Sequence, residues 1–233
     1  MRPQSAKAKG RRFQQQVRDL WLETFAELLN ADDIRSTSMG AAGDDLLLSP
    51  LARVVLPYSF ELKKQQAPSL WEAFAQSAGR ATDVPVAIFS CNNLKLRNAL
   101  VALPRTHFFG LLQNVPHTYA DLDRLVPRVA SACAADVDSS NTCDRWQIHV
   151  HAQPTFNLWP AWARIAASNN NNTKTKAVLV RREHADLAII ELGAFQQLVH
   201  KHWLSSVVRP RMLPQQPVAA GDATDDDKTL VPA

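Results

Sequence analysis

The chain has 233 residues, 46% of them hydrophobic and 21% charged. That balance belongs to a folded globular protein rather than a disordered or collagen-like one. No run approaches the roughly 18 apolar residues that a membrane span requires. The net charge is only +4 but is unevenly spread. Arg2, Lys7, Lys9, Arg11, Arg12 and Arg18 stand in the first 18 positions with no acid among them, and Asp222, Asp225, Asp226 and Asp227 lie near the other end.

A basic arm of this kind suits a phosphate backbone. It is also the composition of a solvated terminus or of an organelle-targeting peptide. No apolar core follows the basic start, so no secretory signal is expected. The three cysteines, Cys91, Cys133 and Cys143, are odd in number and lack metal-like spacing, which points to a reducing, intracellular compartment.

Taken in chain order, residues 11–29 read as a helix, with Phe13, Val17, Leu20, Trp21, Phe25 and Leu28 on one apolar stripe. Residues 39–44 form a glycine-bearing loop, and 45–48 a short apolar strand. Ser49-Pro50 breaks that strand, and Val54-Val55-Leu56 is expected as a short return. Ser59 to Lys63 alternates, so Phe60 and Leu62 face one side while Ser59, Glu61 and Lys63 face the other. Pro68-Ser69 opens a second helix. Strands are expected at 84–89 and 99–103 and a short helix at 106–112. The fold class is therefore α/β (α+β), a mixed central sheet flanked by helices.

Further along, 120–135 reads as a helix, 137–144 as a loop, 146–151 as a strand and 158–167 as a helix. Asn169 to Asn172 is a low-complexity loop. Strands follow at 177–181 and 187–192, then a helix at 194–203. From about Arg209 a disordered tail is expected. The two halves echo each other. Leu70-Trp71 matches Leu158-Trp159 at an offset of 88 residues, and at that offset Glu61 falls on His149 and Lys63 on His151. Later strands align at 89 to 91. The organisation expected is a first domain over 1–115, a connector over 116–145, a degenerate second copy over 146–208 and a tail over 209–233.

Asp45 follows the glycine loop, and Glu61 and Lys63 stand two apart on one strand face. Two carboxylates meeting across neighbouring strands make a hard-oxygen site suited to Mg²⁺. Such an ion offsets charge at a phosphoryl centre and acidifies a bound water. The two-residue step sets a lysine beside the acid. Alone, Glu-x-Lys is a weak signal.

Lys9 to Arg18, Asp33 to Asp45, Leu48-Ser49-Pro50, Ala52-Arg53, Phe60-Glu61-Leu62-Lys63, Leu70-Trp71 and Gln76 together resemble a PD-(D/E)xK family of phage-type endonucleases similar to archaeal Holliday-junction resolvases. The resemblance covers residues 7 to about 112. It implies a restriction-endonuclease-like αβββαβ core and metal-dependent hydrolysis of DNA, including branched DNA, with Mg²⁺ or Mn²⁺. Asp45 and Glu61 would be the metal ligands, Lys63 the catalytic lysine and Gln76 a positioning group on the helix behind. Lys9, Arg11 and Arg12 would touch nucleic acid.

Such resolvases often place a glutamate on the first helix, where this chain has Gln14. An amide oxygen there can still position water or metal but adds no charge. Asp44 is expected at the surface or as a loop cap. The resemblance also implies a homodimer or an internal pseudo-dimer, and action in a bacterial or phage-infected cytoplasm, with a eukaryotic organelle left open. The alternative is a catalytically inactive nuclease-fold protein that binds nucleic acid or protein.

Other residues have plainer readings. His149 and His151 share a strand face and, with His184, Cys133 or Cys143, form a weak zinc candidate. Lys95 and Arg97 fit a phosphate contact or an exposed hairpin tip. Trp71, Trp159, Trp162 and Trp203 are expected in the core.

Overall fold

The computed structural model describes residues 3–37, 43–78, 83–113, 146–151, 156–167, 174–182 and 185–205. The first helix, α1 (Pro3–Thr24), begins eight residues before the expected start. Ala6, Lys7, Ala8 and Lys9 are good helix formers, and Pro3 sits in the first turn. It ends earlier than expected. Leu28 and Leu29 both donate to the Phe25 carbonyl, which closes the helix as turns.

An antiparallel ribbon follows, β1 (Ile34–Ser36) and β2 (Leu46–Leu48), and it stands apart from the main sheet. The sequence reading contained β2 but not β1. The expected return strand at 54–56 is instead a short helix, α2 (Pro50–Val55). Ser49 caps it by accepting from the Ala52 amide, and Pro50 sits in the first turn. A Ser-Pro pair before a hydrophobic run starts a helix as readily as it breaks a strand.

The remaining elements are β3 (Tyr58–Lys64), α3 (Leu70–Ser77), β4 (Val84–Ser90), β5 (Leu100–Pro104), α4 (Arg105–Gln113), β6 (Trp146–His151), α5 (Leu158–Ala167), β7 (Thr175–Arg182), β8 (Ala185–Glu191) and α6 (Leu192–Trp203). The expected helix at 120–135 and the loop and tail regions at 137–144, 169–172 and beyond 209 lie outside the described residues.

Six strands form one mixed sheet in the order β3-β4-β5-β8-β7-β6. The outer pairs β3–β4 and β6–β7 are parallel, and the pairings between them are antiparallel. One face packs on α1, α4 and α6, with Phe13, Trp21, Phe60, Phe108 and Phe195 in its core. The other packs on α3 and α5 over Ala87, Phe89, Leu100, Ala102, Val178 and Ile189. Trp71, Trp159, Trp162 and Trp203 are only partly buried, at the margins of these cores. The large indole that is wholly enclosed is Trp21, which meets Phe25, Phe60 and Phe195.

The strand register is two-fold symmetric. Tyr58 pairs with Val84 as Trp146 pairs with Thr175, and Ala87 pairs with Ala102 as Val178 pairs with Ile189. Matching Tyr58 to Trp146 therefore matches Val84 to Thr175, then Ala87 to Val178, then Ala102 to Ile189. Ala102 and Ile189 are themselves partners across β5–β8. A local two-fold axis thus passes between them and relates β3-β4-β5 to β6-β7-β8. The offsets are 88 for the outer strands, 91 for the next and 87 (Ala102 to Ile189) for the inner ones, where the sequence echo had suggested 89 to 91.

Candidate metal-and-lysine site at the edge of the sheet

β3 is an edge strand of the large sheet, so alternate backbone groups along it have no partner strand. Asp45, just before β2, supplies those partners. Its amide donates to the Phe60 carbonyl at 3.0 Å, and its carboxylate Oδ2 accepts from the Leu62 amide at 2.7 Å. The other oxygen, Oδ1, accepts from Gln14 Nε2 on α1 at 2.5 Å. Phe13 and Val17, both buried, seat the same helix against the sheet. Gln14 itself is 3% exposed, and its Oε1 is buried with no hydrogen-bond partner.

Between Phe60 and Leu62, Glu61 points to the opposite face, towards α3. Its carboxylate meets Lys63 Nζ at 2.5 Å, and that ammonium also donates to Gln76 Oε1 at 2.7 Å. The sequence-predicted residues Gln14, Asp45, Glu61, Lys63 and Gln76 are therefore gathered at one end of β3. The alternation anticipated for β3 holds, since Tyr58, Phe60 and Leu62 lie in the core under α1.

Burial pushes the Asp45 carboxyl above the ordinary carboxylate value, against the opposing pull of the Leu62 amide and Lys63. Burial likewise raises the Glu61 carboxyl. Lys63 opposes the shift, and the charge of Asp45 adds to it. The site is thus a half-desolvated pair of mutually repelling carboxylates with one lysine against them.

The expectation that Asp44 lies at the surface is wrong. Asp44 is buried, and its Oδ1 accepts from the Ser59 hydroxyl at 2.5 Å. Its carbonyl accepts from Thr37 Oγ1. Gly43 precedes it at φ +113, a backbone conformation open to glycine and strained for other residues. That turn lets two consecutive acids both face inward, one to Ser59 and one to the strand edge. Ser59, fully buried on the Glu61 face of β3, was the available sequence signal: a hydroxyl there needs a partner.

The donors present fit a hard cation. Asp45 and Glu61 offer carboxylate oxygens, the neighbouring Gln14 has an unpartnered amide oxygen, and an ion would relieve the carboxylate repulsion. Among the described residues no group of three or more His, Cys, Asp or Glu side chains could hold a metal ion. An ion here would take two carboxylates, with the amide and water completing its shell.

The symmetric counterpart is chemically different. His149 and His151 share the expected face, but β6 is the far edge of the sheet. Burial, then the nearby Lys176, pushes the His149 pKa down, and its Nε2 is buried without a hydrogen-bond partner. His151 packs edge-on against Phe156 at 4.9 Å. The other zinc candidates, His184, Cys133 and Cys143, lie outside the described residues.

Lys95 and Arg97 are exposed on the β4–β5 connection. On α1, Arg11 and Arg12 are exposed and Lys9 is half-buried. No described helix is long and apolar enough to cross a membrane.

Comparison of the chain with family models, with curated proteins and with solved structures finds no match.

Proposed function

We propose that the chain is a metal-dependent endonuclease that hydrolyses DNA phosphodiester bonds, branched DNA included, with a restriction-endonuclease-like core. The observation that carries this reading is the convergence of Asp45, Glu61 and Lys63 at the edge of β3, tied to Gln14 and Gln76. Asp45 and Glu61 would hold Mg²⁺ or Mn²⁺, with Gln14 Oε1 facing the ion or its water. When bound, the ion supplies charge stabilisation at phosphorus and a more acidic water.

The protein's own groups do the rest. Two contacts fix the Asp45 carboxylate, so it keeps its place whether or not it is neutralised. Lys63 spends two of its three N–H donors on Glu61 and Gln76 and can offer the third to a phosphate oxygen or the attacking water. Gln76 sets the direction of that donor. Arg11, Arg12 and Lys9 on α1 run outward from Gln14 and suit the backbone phosphates on either side.

The two-fold register supports a second reading of the architecture, an internal pseudo-dimer with one live site. At the position of Glu61 the second half has His149, whose pKa is lowered by burial and then by Lys176. A neutral imidazole does not replace a hard anionic ligand for Mg²⁺. Such a protein nicks one strand per encounter.

Supercoiled plasmid incubated with Mg²⁺ tests the proposal. Wild type is expected to convert it to open circles, and Asp45→Ala and Glu61→Ala to leave it intact. Wild type that binds DNA without cutting it in any divalent metal would instead make the chain a binding module.

A further inference from the structure

The α3–α5 face of the sheet carries aromatic side chains that the proposed chemistry does not use. Trp71 and Phe74 on α3 and Trp159 and Trp162 on α5 are partly buried and pack against one core. At the offset of 88 residues Trp71 falls on Trp159 and Phe74 on Trp162. Ala102 and Ile189, between which the two-fold axis passes, belong to the same core and are fully buried. The axis therefore emerges between α3 and α5, with a matched pair of rings on either side.

This face is also cationic. The Arg182 guanidinium lies over the Trp71 ring, 6.0 Å from its centroid. Arg164 stands on α5 at the position that corresponds to Gln76, and both arginines are exposed. Glu72 is the only acid on the two helices. The face reaches the candidate site as well. Trp159 Nε1 donates to the Gln65 carbonyl at 3.2 Å, two residues beyond Lys63 in the chain. The second half has histidines in place of Glu61 and Lys63, yet it keeps both ring positions and carries the larger indole at the second. Leucine would cover a core of Ala, Leu and Ile equally well. Rings with arginines beside them can in addition stack on flat bases and meet phosphates.

We propose that Trp71, Phe74, Trp159 and Trp162, with Arg164 and Arg182, form a binding surface for the unpaired bases of a DNA strand. The rings stack on bases and the arginines meet the backbone. Every base has a π-face, so the surface has little sequence preference. A strand held there lies beside the end of β3, and the substrate of the Glu61–Lys63 site is then DNA with single-stranded character, as at a branch. That substrate assignment rests on the nuclease reading above, whereas the binding surface does not.

The test is fluorescence anisotropy of a short labelled oligothymidylate and of a blunt duplex of equal length, titrated with the full chain in EDTA so that no cutting occurs. Wild type is expected to bind the single strand more tightly than the duplex. Trp162→Leu keeps an apolar cover and removes a stacking ring. It is expected to bind the single strand about ten-fold more weakly and the duplex unchanged, with wild-type circular dichroism. The Arg164→Ala/Arg182→Ala double variant, changed only at exposed positions, is expected to lower the salt slope of single-strand binding by about one. Wild type that prefers the duplex, or binds neither, overturns the proposal, as does a folded Trp162→Leu that binds the single strand like wild type. Should Trp162→Leu not fold, an unchanged salt slope in the arginine variant overturns it. Tighter binding of a single-stranded RNA than of the DNA overturns the choice of DNA. Single-strand preference in a wild type that leaves plasmid uncut in Mg²⁺ sinks the nuclease reading and leaves the surface standing.

Discussion

Replacing Gln14 by glutamate probes the site from the α1 side. Gln14 Nε2 lies 2.5 Å from Asp45 Oδ1 in a 3%-exposed position. In Gln14→Glu a donor facing a carboxylate becomes a second carboxylate. With the charge centres about 4 Å apart and an effective dielectric near 20, the repulsion is about 4 kcal/mol. The lost hydrogen bond to a charged acceptor adds about 1.5–3 kcal/mol, and sharing one proton between the two groups recovers part of the total.

A net loss of about 2–4 kcal/mol is expected for the metal-free variant at pH 8. In a chain of this size that lowers the melting temperature by roughly 5–15 °C. Each carboxyl then has a folded pKa raised above its unfolded value. The stability it contributes is present at low pH and is lost as pH rises through the raised pKa, so the deficit shrinks towards pH 4. Mn²⁺ reverses the sign, because three carboxylates bind a divalent ion better than two, and ligand binding to the folded state stabilises it. Calorimetric or fluorescence melting in EDTA and in Mn²⁺ checks both halves. A variant as stable as wild type in EDTA would refute the Gln14–Asp45 contact. A variant equally destabilised with and without Mn²⁺ would refute the cation site.

The wild type has a milder pH signature of its own. Because Asp45 and Glu61 carry raised pKa values, the stability they contribute to the metal-free protein is lost as pH rises above the ordinary carboxylate range. Urea midpoints should show a dependence that the Asp45→Asn/Glu61→Gln double variant lacks. Ser49→Ala removes the α2 cap and the hydroxyl that donates to Asp33, and is expected to cost about 0.5–2 kcal/mol in urea unfolding. Phe195→Ala empties the space between Trp21 and Tyr58. It should cost about 3–5 kcal/mol, showing that α6 buttresses the helix that carries Gln14.

Much of the architecture is legible from local pattern. The alternation in 59–63 sets the faces of β3, and the apolar stripe around Phe13, Val17 and Trp21 sets the face of α1. Glu61 and Lys63 could be grouped from spacing, and Gln76 only from the resemblance. Other features depend on tertiary partners that a linear pattern does not contain. β1 is three residues long and exists because β2 pairs with it. Asp44 looks like a surface acid until Ser59 is placed against it. Trp71, Trp159 and Trp162 lie at the margins of the α3–α5 face, whose centre is already filled by strand residues such as Ala87, Phe89 and Ile189. The weak echo between the halves became a definite axis through the strand register, which fixes Ala102 opposite Ile189.

Asp45, Glu61 and Lys63 are proposed to act together in cleaving DNA. Single-turnover cleavage of an end-labelled four-way junction in Mg²⁺ tests it most directly, with wild type set against Lys63→Ala and Glu61→Gln of confirmed fold. One incision per junction is expected of wild type, and at least about a hundred-fold loss in each variant, on the scale of removing a group that acts on the transition state. Equal cleavage by all three proteins would contradict the site, and paired symmetric incisions by a monomer would contradict the single live centre.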